Sequence, residues 1–431
     1  MLHKRRGATL AVGFVLTTAL MLPTSGAANA VDVPDQVLAW NRHAYVELFV
    51  QKVPAQAPLV AIFNLGIVHA AVYDAANAID GGFQPYLEAP NVPSGASVDA
   101  AAASAAYEVL KVLIPDRIAE LDDYYAASLD AIDDVASAQS ILDGEAVGRD
   151  AAAAILADRT GDGRGGSPFF TEGDGDPGEW VNLAGPLNIA GNNFKWVGDV
   201  KPFIIEDAAD FATPGPLALS SAKYAEEFNQ VKKLGAATGS SRTADQTAMA
   251  QFWADHPIAM WTRMFQQIAS NRELGTVRSA RYFAMLYLTG SDALIACFQD
   301  KERNGFWRPT TAIHDAEFDG NPATTQDDGW TALLAVPPYP DHPSAHNCVS
   351  NSFVQTLRDF FGSDRMSFGT TRTSSPIGPI TRTFRRFSEA IGEIRLARVY
   401  GGLHFMTPDA QGATLGRKVA NYRQTHFFQP L

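Results

Sequence analysis

Alanine-rich, helix-forming segments run through most of this chain and constrain its fold more than any other feature. Residues 59–79 are long, apolar and rich in alanine, and three similar segments follow a Pro/Ser/Gly linker at residues 90–97. Alanine has the highest helix propensity, and no segment of the sequence shows the sustained apolar/polar alternation typical of a half-buried strand. The sequence therefore predicts helices at residues 37–50, 59–79, 98–113, 115–131, 137–158, 220–233, 243–253, 257–271, 274–300, 344–361 and 381–400.

This pattern predicts an all-α fold of two packed helical bundles, because amphipathic helices bury their apolar faces against one another. The glycine- and aspartate-rich stretch at residues 160–177 is the clearest interruption between the two sets of helices. We expect the chemistry in the C-terminal bundle, where the polar signatures described below lie.

The N-terminus has the three parts of a secretory signal peptide. Residues 4–6 are basic, residues 8–22 are apolar, and residues 28–30 (Ala-Asn-Ala) form a small-residue cleavage site. The apolar run is shorter than the roughly 20 residues that a membrane span needs, and we expect no later span. We predict cleavage after Ala30, a secreted or periplasmic protein, and no stable membrane span.

Three short signatures occur in order in the C-terminal half. They are residues 301–309 (Lys-Glu-Arg-Asn-Gly-Phe-Trp-Arg-Pro), residues 343–346 (Pro-Ser-Ala-His) and residues 398–404 (Arg-Val-Tyr-Gly-Gly-Leu-His). Together they supply three cations, a hydroxyl and two imidazoles. Arginine offers a planar fork to pairs of oxygens, lysine a compact charge, and histidine a nucleophile, ligand or proton carrier. This combination predicts a site for a tetrahedral or trigonal-bipyramidal oxyanion.

The overall charge is consistent with a local anion site. The formal net charge is −13, so we expect no broad basic surface and no nucleic acid partner. A helix beginning near Ser344 would also direct its N-terminal N–H groups at the anion.

These signatures resemble those of the superfamily that joins type-2 phosphatidic acid phosphatases to vanadium-dependent haloperoxidases. Its pattern is Lys-x6-Arg-Pro, Pro-Ser-Gly-His and Ser-Arg-x5-His. The first signature matches in full, whereas Ala345 replaces the usual glycine and Ala397 the frequent serine. Residues 63–86 and 177–203 also resemble bacterial haloperoxidase-like proteins, so the resemblance extends over most of the mature chain.

As a vanadium-dependent haloperoxidase, the protein would use vanadate to oxidise halide with hydrogen peroxide to hypohalous acid. The resemblance implies His404 as the metal ligand and His346 as the group that handles protons. The residues implied to bind the cofactor are Lys301, Arg308, Ser344, Ala345, Arg398 and His404. Those implied to be catalytic are His404, His346, Lys301, Arg308 and Arg398.

The same residues suit a phosphatase. His404 would then attack a small phosphoester to form a phosphohistidine, and His346 would protonate the leaving group. A third hypothesis is a secreted protein that binds phosphate or vanadate without turnover. The length, the N-terminal helices and the loop at residues 180–203 favour the peroxidase.

The resemblance implies a division into three parts. Residues 1–30 form the signal peptide, residues 31–205 an N-terminal helical half with a crossover loop, and residues 206–431 the C-terminal phosphatase/haloperoxidase-like domain. The sequence is compatible with an oligomer.

Two cysteines, one aspartate and one histidine raise further expectations. Cys297 precedes Lys301 by four residues and Cys348 follows His346 by two, so we predict a disulfide that joins the first two signatures, with two buried free thiols as the alternative. Asp409 is the candidate for orienting His404. His342 would lie either at the pocket or on the surface.

Overall fold

The structure is a computed structural model that describes residues 35–51, 59–87, 89–133, 135–166, 170–183 and 194–431. The signal peptide predicted at residues 1–30 lies outside the described residues. Cleavage after Ala30 and export therefore stay predictions.

Helices make up most of the described residues, which confirms the all-α prediction. The N-terminal helices are α1 (Gln36–Tyr45), α2 (Val60–Asp80), α3 (Val98–Leu113), α4 (Ile118–Asp133) and α5 (Ala138–Asp158). The C-terminal helices are α6 (Ala222–Gly235), α7 (Ala244–Phe252), α8 (Pro257–Asn271), α9 (Gly275–Asn304), α10 (Pro309–His314), α11 (Ala345–Phe361), α12 (Phe387–Tyr400) and α13 (Met406–His426). A π-helix covers Val46–Gln51, and 3-10 helices cover Pro115–Arg117, Lys195–Asp199, Ala208–Phe211 and Ala316–Phe318.

Local sequence explains where several helices begin. The side chains of Ser97, Ser137 and Ser221 each accept a hydrogen bond from a backbone N–H in the first turn of the helix that follows. Such caps satisfy donors that have no partner within the helix. Helix starts near these serines were therefore predictable from the sequence.

The central element is α9, a helix of 30 residues. It contacts α2 in the N-terminal half and both α11 and α13 in the C-terminal half. Its last turn carries Lys301, and Gly305 ends the helix at a φ of 51°, a left-handed conformation that favours glycine. The helix therefore joins the two bundles and delivers the first signature to the interior. The domain boundary at residues 205 and 206 stays a prediction.

By length and composition alone, α2 could cross a membrane, which the sequence analysis did not expect of any later stretch. This helix has 21 residues, but 89% of its most apolar segment is buried within the protein. Burial against α3 and α9 makes α2 a core helix of the described structure.

A β-hairpin corrects the predicted helix at residues 381–400. Strands β1 (Arg365–Arg372) and β2 (Ile380–Arg386) pair in antiparallel fashion, and α12 begins only at Phe387. Phe368 and Phe384 are buried with ring centroids 5.3 Å apart, so the hairpin has one face on the core. The β-branched and aromatic residues in β2 favour a strand, but a local reading cannot identify the partner that stabilises it.

The predicted disulfide is wrong, because Cys297 and Cys348 are free, buried thiols. They lie on the contacting helices α9 and α11 and form a side-chain hydrogen bond with each other. The Cys297 thiol also lies 3.7 Å from the carbonyl oxygen of Pro343. Burial raises the pKa of the Cys348 thiol, which favours the protonated form. Both cysteines therefore act as small core residues.

Glycines on α13 allow it to approach α11 closely, although α13 itself was not predicted. A Cβ atom at Gly416 would lie 2.0 Å from the carbonyl oxygen of Cys348, and one at Gly412 would lie 2.7 Å from that of Ser344. The two helices therefore meet backbone to backbone, which holds the N-terminus of α11 in position.

We expect Gly416→Ala to destabilise the fold by about 1–3 kcal/mol, because the added methyl group forces α11 and α13 apart. The matched control is Gly392→Ala on α12, where an added Cβ meets nothing within 4 Å. Alanine should there be neutral or stabilising by up to about 1 kcal/mol, since it is the better helix former. Urea unfolding measures both variants. Equal effects in the two variants would contradict the close helix contact.

Candidate active site

The fold brings the three predicted signatures together in one buried pocket. Lys301 and Arg308 come from the end of α9 and the turn after it, and Arg398 comes from the last turn of α12. Ser344 is the N-cap of α11, and His404 lies between α12 and α13. We call the site formed by Lys301, Arg308, Ser344, His346, Arg398 and His404 the oxyanion pocket.

Lys301 is fully buried and holds the first and second signatures together. Its Nζ donates to the carbonyl oxygens of Pro340 at 2.7 Å, Asp341 at 3.0 Å and Pro343 at 2.5 Å. Burial lowers the pKa of this ammonium group to about 8, since the charged form loses its hydration. Lys301 therefore fixes the loop that leads to Ser344 and keeps a cation beside it.

Arg308 connects the first signature to the third. Its Nε donates to the carbonyl oxygen of Tyr339 at 2.9 Å, and its Nη1 donates to that of Leu403 at 2.9 Å. The same Nη1 lies 3.2 Å from Nε2 of His404. Nη2 is buried with no partner in the described structure. The guanidinium is therefore anchored on one side and has a free N–H group on the other.

Arg398 and His346 form the third part of the pocket. Nη1 of Arg398 lies 3.5 Å from the carbonyl oxygen of Trp253, and its buried Nε has no partner in the described structure. A ring nitrogen of His346 interacts with the same carbonyl, whereas Nε2 has no partner there. Burial and then the Arg398 charge lower the pKa of His346 well below its usual value. His346 is therefore neutral, with Nε2 available to accept a proton.

His404 is a neutral imidazole whose tautomer follows from its neighbours. Arginine can only donate, so the contact with Arg308 makes Nε2 an acceptor and places the proton on Nδ1. Burial and then the charges of Arg308, Arg398 and Lys301 lower the pKa of His404 well below its usual value. The lone pair of Nε2 therefore faces the cations.

Asp341 is the site residue that sequence reasoning missed. Its Oδ1 contacts Nδ1 of His404 and lies 3.6 Å from Nη1 of Arg308. The residue is fully buried, and burial raises the pKa of its carboxyl to about 7. Asp341 therefore lies against His404 and beside the Arg308 guanidinium, whose charge its ionised form offsets. Its one sequence signal is an acidic residue just before the second signature.

Asp409 does not orient His404, so that expectation is wrong. Its Oδ1 accepts from Nδ2 of Asn347 at 2.7 Å, and its carboxyl also bonds with the Ser344 side chain. Asp409 therefore positions the N-terminus of α11. Its place one turn into α13 directs it toward α11 rather than toward the histidine.

His342 does not lie on the surface, which was one of its two expected placements. It is fully buried, and its Nε2 lies 2.8 Å from the hydroxyl of Thr213. That hydroxyl donates to Asp300 at 2.6 Å, so it accepts from His342. His342 therefore belongs to a buried polar network with Thr213 and Asp300, the residue that precedes Lys301. It does not line the cavity described next.

A cavity of about 440 Å³, which we call the outer cavity, adjoins the oxyanion pocket. His346 and Arg398 belong to both, and Ala345 also lines the cavity, whereas Lys301, Arg308 and His404 do not. Most of the other lining residues are apolar. The lining side chains with polar groups are Asp255, His256, Tyr339, His346, Arg372 and Arg398.

The donor set fits an oxyanion and not a bare cation. In the described part of the chain, no group of three or more His, Cys, Asp or Glu residues could hold a metal ion. The unpartnered nitrogens of Arg308 and Arg398 can each donate to an anion. The first N–H groups of α11, a helix of 17 residues, add further donors.

Comparisons with known proteins agree with this geometry. The family model for the VCPO second helical-bundle domain matches residues 281–430, which include every predicted site residue. The vanadium chloroperoxidase of Curvularia inaequalis is 26% identical over 416 residues, covering 77% of this chain and 67% of that protein.

Solved structures share the fold over almost the whole chain. The first bacterial vanadium-dependent iodoperoxidase superposes with a TM-score of 0.77 at 23% identity, covering 94% of this chain and 99% of that one. A holo-type bacterial vanadium-dependent chloroperoxidase has a TM-score of 0.72 at 17% identity, covering 92% and 98%.

We expect His404 to remain neutral, with its proton on Nδ1, across the range of about pH 5–8 in which free histidine titrates. Burial among cations opposes protonation, and the Arg308 N–H group makes Nε2 the acceptor, which leaves the proton on Nδ1. Nitrogen-15 NMR of histidine-labelled protein, with the signal assigned through His404→Gln, measures both properties. Asp341→Asn should change the tautomer-sensitive shifts. Titration of His404 alongside free histidine would contradict this description.

Proposed function

We propose that this chain, which belongs to the family of vanadium-dependent haloperoxidases, oxidises halide with hydrogen peroxide to hypohalous acid and water. The observation that carries this proposal is the convergence of three buried cations on a neutral His404. The relatives named as vanadium-dependent chloroperoxidases and iodoperoxidase support it. The overall reaction consumes one halide, one peroxide and one proton, and it releases one hypohalous acid and one water.

Vanadate fits the oxyanion pocket. His404 would be its protein ligand through Nε2, and Lys301, Arg308, Arg398 and the N-terminus of α11 would hold its oxygens. The buried N–H groups of the two arginines that have no partner in the described structure would then gain one. Bound vanadate supplies Lewis acidity that activates peroxide toward attack by halide.

His346 is the residue suited to proton transfer. It lines the outer cavity, and its Nε2 has no partner in the described structure. Its lowered pKa leaves the ring able to accept a proton from incoming peroxide. The same nitrogen can return that proton to the oxygen that leaves as water.

Asp341 and the backbone carbonyls contact His404 and Lys301 and hold these two side chains in position. The Asp341 carboxyl lies against Nδ1 of His404, and the Nε2 lone pair faces the Arg308 guanidinium. The three carbonyl oxygens around Lys301 hold the ammonium group in place before any anion binds. Such preorganisation avoids reorientation during the reaction.

We expect peroxide-dependent bromination by purified, phosphate-free protein, with activity that saturates as orthovanadate is added. His404→Ala should abolish this activity, because it removes the proposed vanadium ligand. His346→Ala should lower kcat by about 10²–10⁴, the usual contribution of a general acid–base. His426→Ala, at an exposed position on α13, is the matched control and should keep full activity.

Two outcomes would redirect the proposal. Absence of bromination at every vanadate concentration, together with phosphomonoester hydrolysis that His404→Ala removes, would assign a phosphatase to the same pocket. Vanadate binding without either turnover would assign a binding protein.

We also expect phosphate, as an oxyanion probe, to bind more weakly as pH rises through about 8. The pKa of Lys301 is lowered to about 8, so this cation is lost well below the usual range of lysine. Binding above that pH must take up a proton, which costs affinity. Isothermal titration calorimetry should show this step in the wild type and in the exposed control Lys233→Gln. Lys301→Gln should bind weakly and lack the step. The same pH profile in all three proteins would contradict the assignment.

A further inference from the structure

The outer cavity is larger than the proposed reactants need. Its volume is about 440 Å³, whereas halide and peroxide are close in size to water, which occupies about 30 Å³. Pockets for organic ligands span roughly 300–1,000 Å³. The cavity therefore has room for an organic molecule beside His346 and Arg398.

The walls of the outer cavity define the body of such a molecule. They include Leu294, Phe298, Leu334, Val349 and Leu403, which come from α9, α11 and the connecting loops. These side chains offer dispersion and hydrophobic contact without hydrogen bonds. The cavity is therefore suited to a hydrocarbon or aromatic group.

Arg372, at the end of β1, adds a cation to this apolar cavity. Its Nη1 donates to the carbonyl oxygen of Gln251, while its buried Nε has no partner in the described structure. No carboxylate of the described chain pairs with it. The nearby Asp255 is already engaged, because its Oδ2 accepts from Arg263 at 2.6 Å and its Oδ1 from the His256 N–H at 2.9 Å.

A guanidinium beside an apolar cavity gains stability when an anion arrives. Arg372 is half-buried, whereas Arg398 is 3% exposed, so Arg372 lies nearer the solvent. The proposed function assigns Arg398 to the oxyanion, which leaves Arg372 as the cation that matches a monoanion. The arrangement therefore favours a ligand with a carboxylate at one end and an apolar body directed inward.

We propose that the outer cavity binds an aromatic carboxylate, with the carboxylate on Arg372 and the ring directed toward His346 and Arg398. Its use as a halogen acceptor rests on the proposed function. Hypobromous acid formed in the adjoining pocket transfers bromine to an activated ring carbon. The O–Br bond breaks, the C–Br bond forms, and the displaced ring proton leaves with the hydroxide as water.

Calorimetry on vanadate-free protein tests the binding without any turnover. The probes are 4-hydroxyphenylacetate and its uncharged analogue 4-hydroxyphenylacetamide. The wild type should bind the carboxylate about tenfold more tightly than the amide, the effect of one charge-assisted hydrogen bond. Arg372→Gln should remove this preference and leave the amide affinity unchanged.

Two variants control for charge and folding. Arg385→Gln removes an exposed cation from the same hairpin and should keep the wild-type preference. Arg372→Lys keeps the charge and should retain part of it. Thermal melting confirms that each variant is folded.

Equal affinity for acid and amide in the wild type would overturn the proposal, as would an unchanged preference in folded Arg372→Gln. Binding that depends on Arg372 in a protein that never brominates would support the carboxylate site and refute the haloperoxidase function. Bromination without carboxylate binding would do the reverse. The two proposals can therefore fail separately.

Discussion

The burial of three cations around one imidazole is the constraint on which the rest of this structure depends. Lys301, Arg308 and Arg398 are each at most 3% exposed, and removing such charges from water costs several kcal/mol per ion unless they are compensated. Asp341 and a set of backbone carbonyls supply part of that compensation. The unpartnered donors of the two arginines would complete it if the proposed oxyanion bound.

A pocket of this kind needs rigid supports, and the fold provides them. The long helix α9 holds Lys301 at its last turn while it contacts helices of both halves. The close approach of α13 to α11 at Gly412 and Gly416 fixes Ser344 and the N–H groups beside it. Asp409 reaches across this contact to the Ser344 side chain. Packing and polar contacts therefore position the same helix N-terminus.

The predictions that succeeded were those carried by local patterns. Alanine-rich segments without strand alternation predicted the all-α fold, and signature spacing identified residues that the structure does bring together. Several of the features that the sequence missed depend on a partner distant in sequence. Asp341 contacts His404 across 63 residues, and β2 becomes a strand only because β1 lies beside it. The sequence correctly predicted that Cys297 and Cys348 lie close together, but their thiols form a hydrogen bond and not a disulfide.

The sequence by itself determined which chemical groups are present. Three signatures in the C-terminal half supply three cations, two imidazoles and a hydroxyl. Only the tertiary structure decided how these groups are used. It places His404 among buried cations that lower its pKa, sets Asp341 rather than Asp409 against it, and brings Arg372 to a largely apolar cavity. The physical reason is that protonation, tautomer and ion pairing depend on burial and on neighbours in space, which spacing along the chain does not specify.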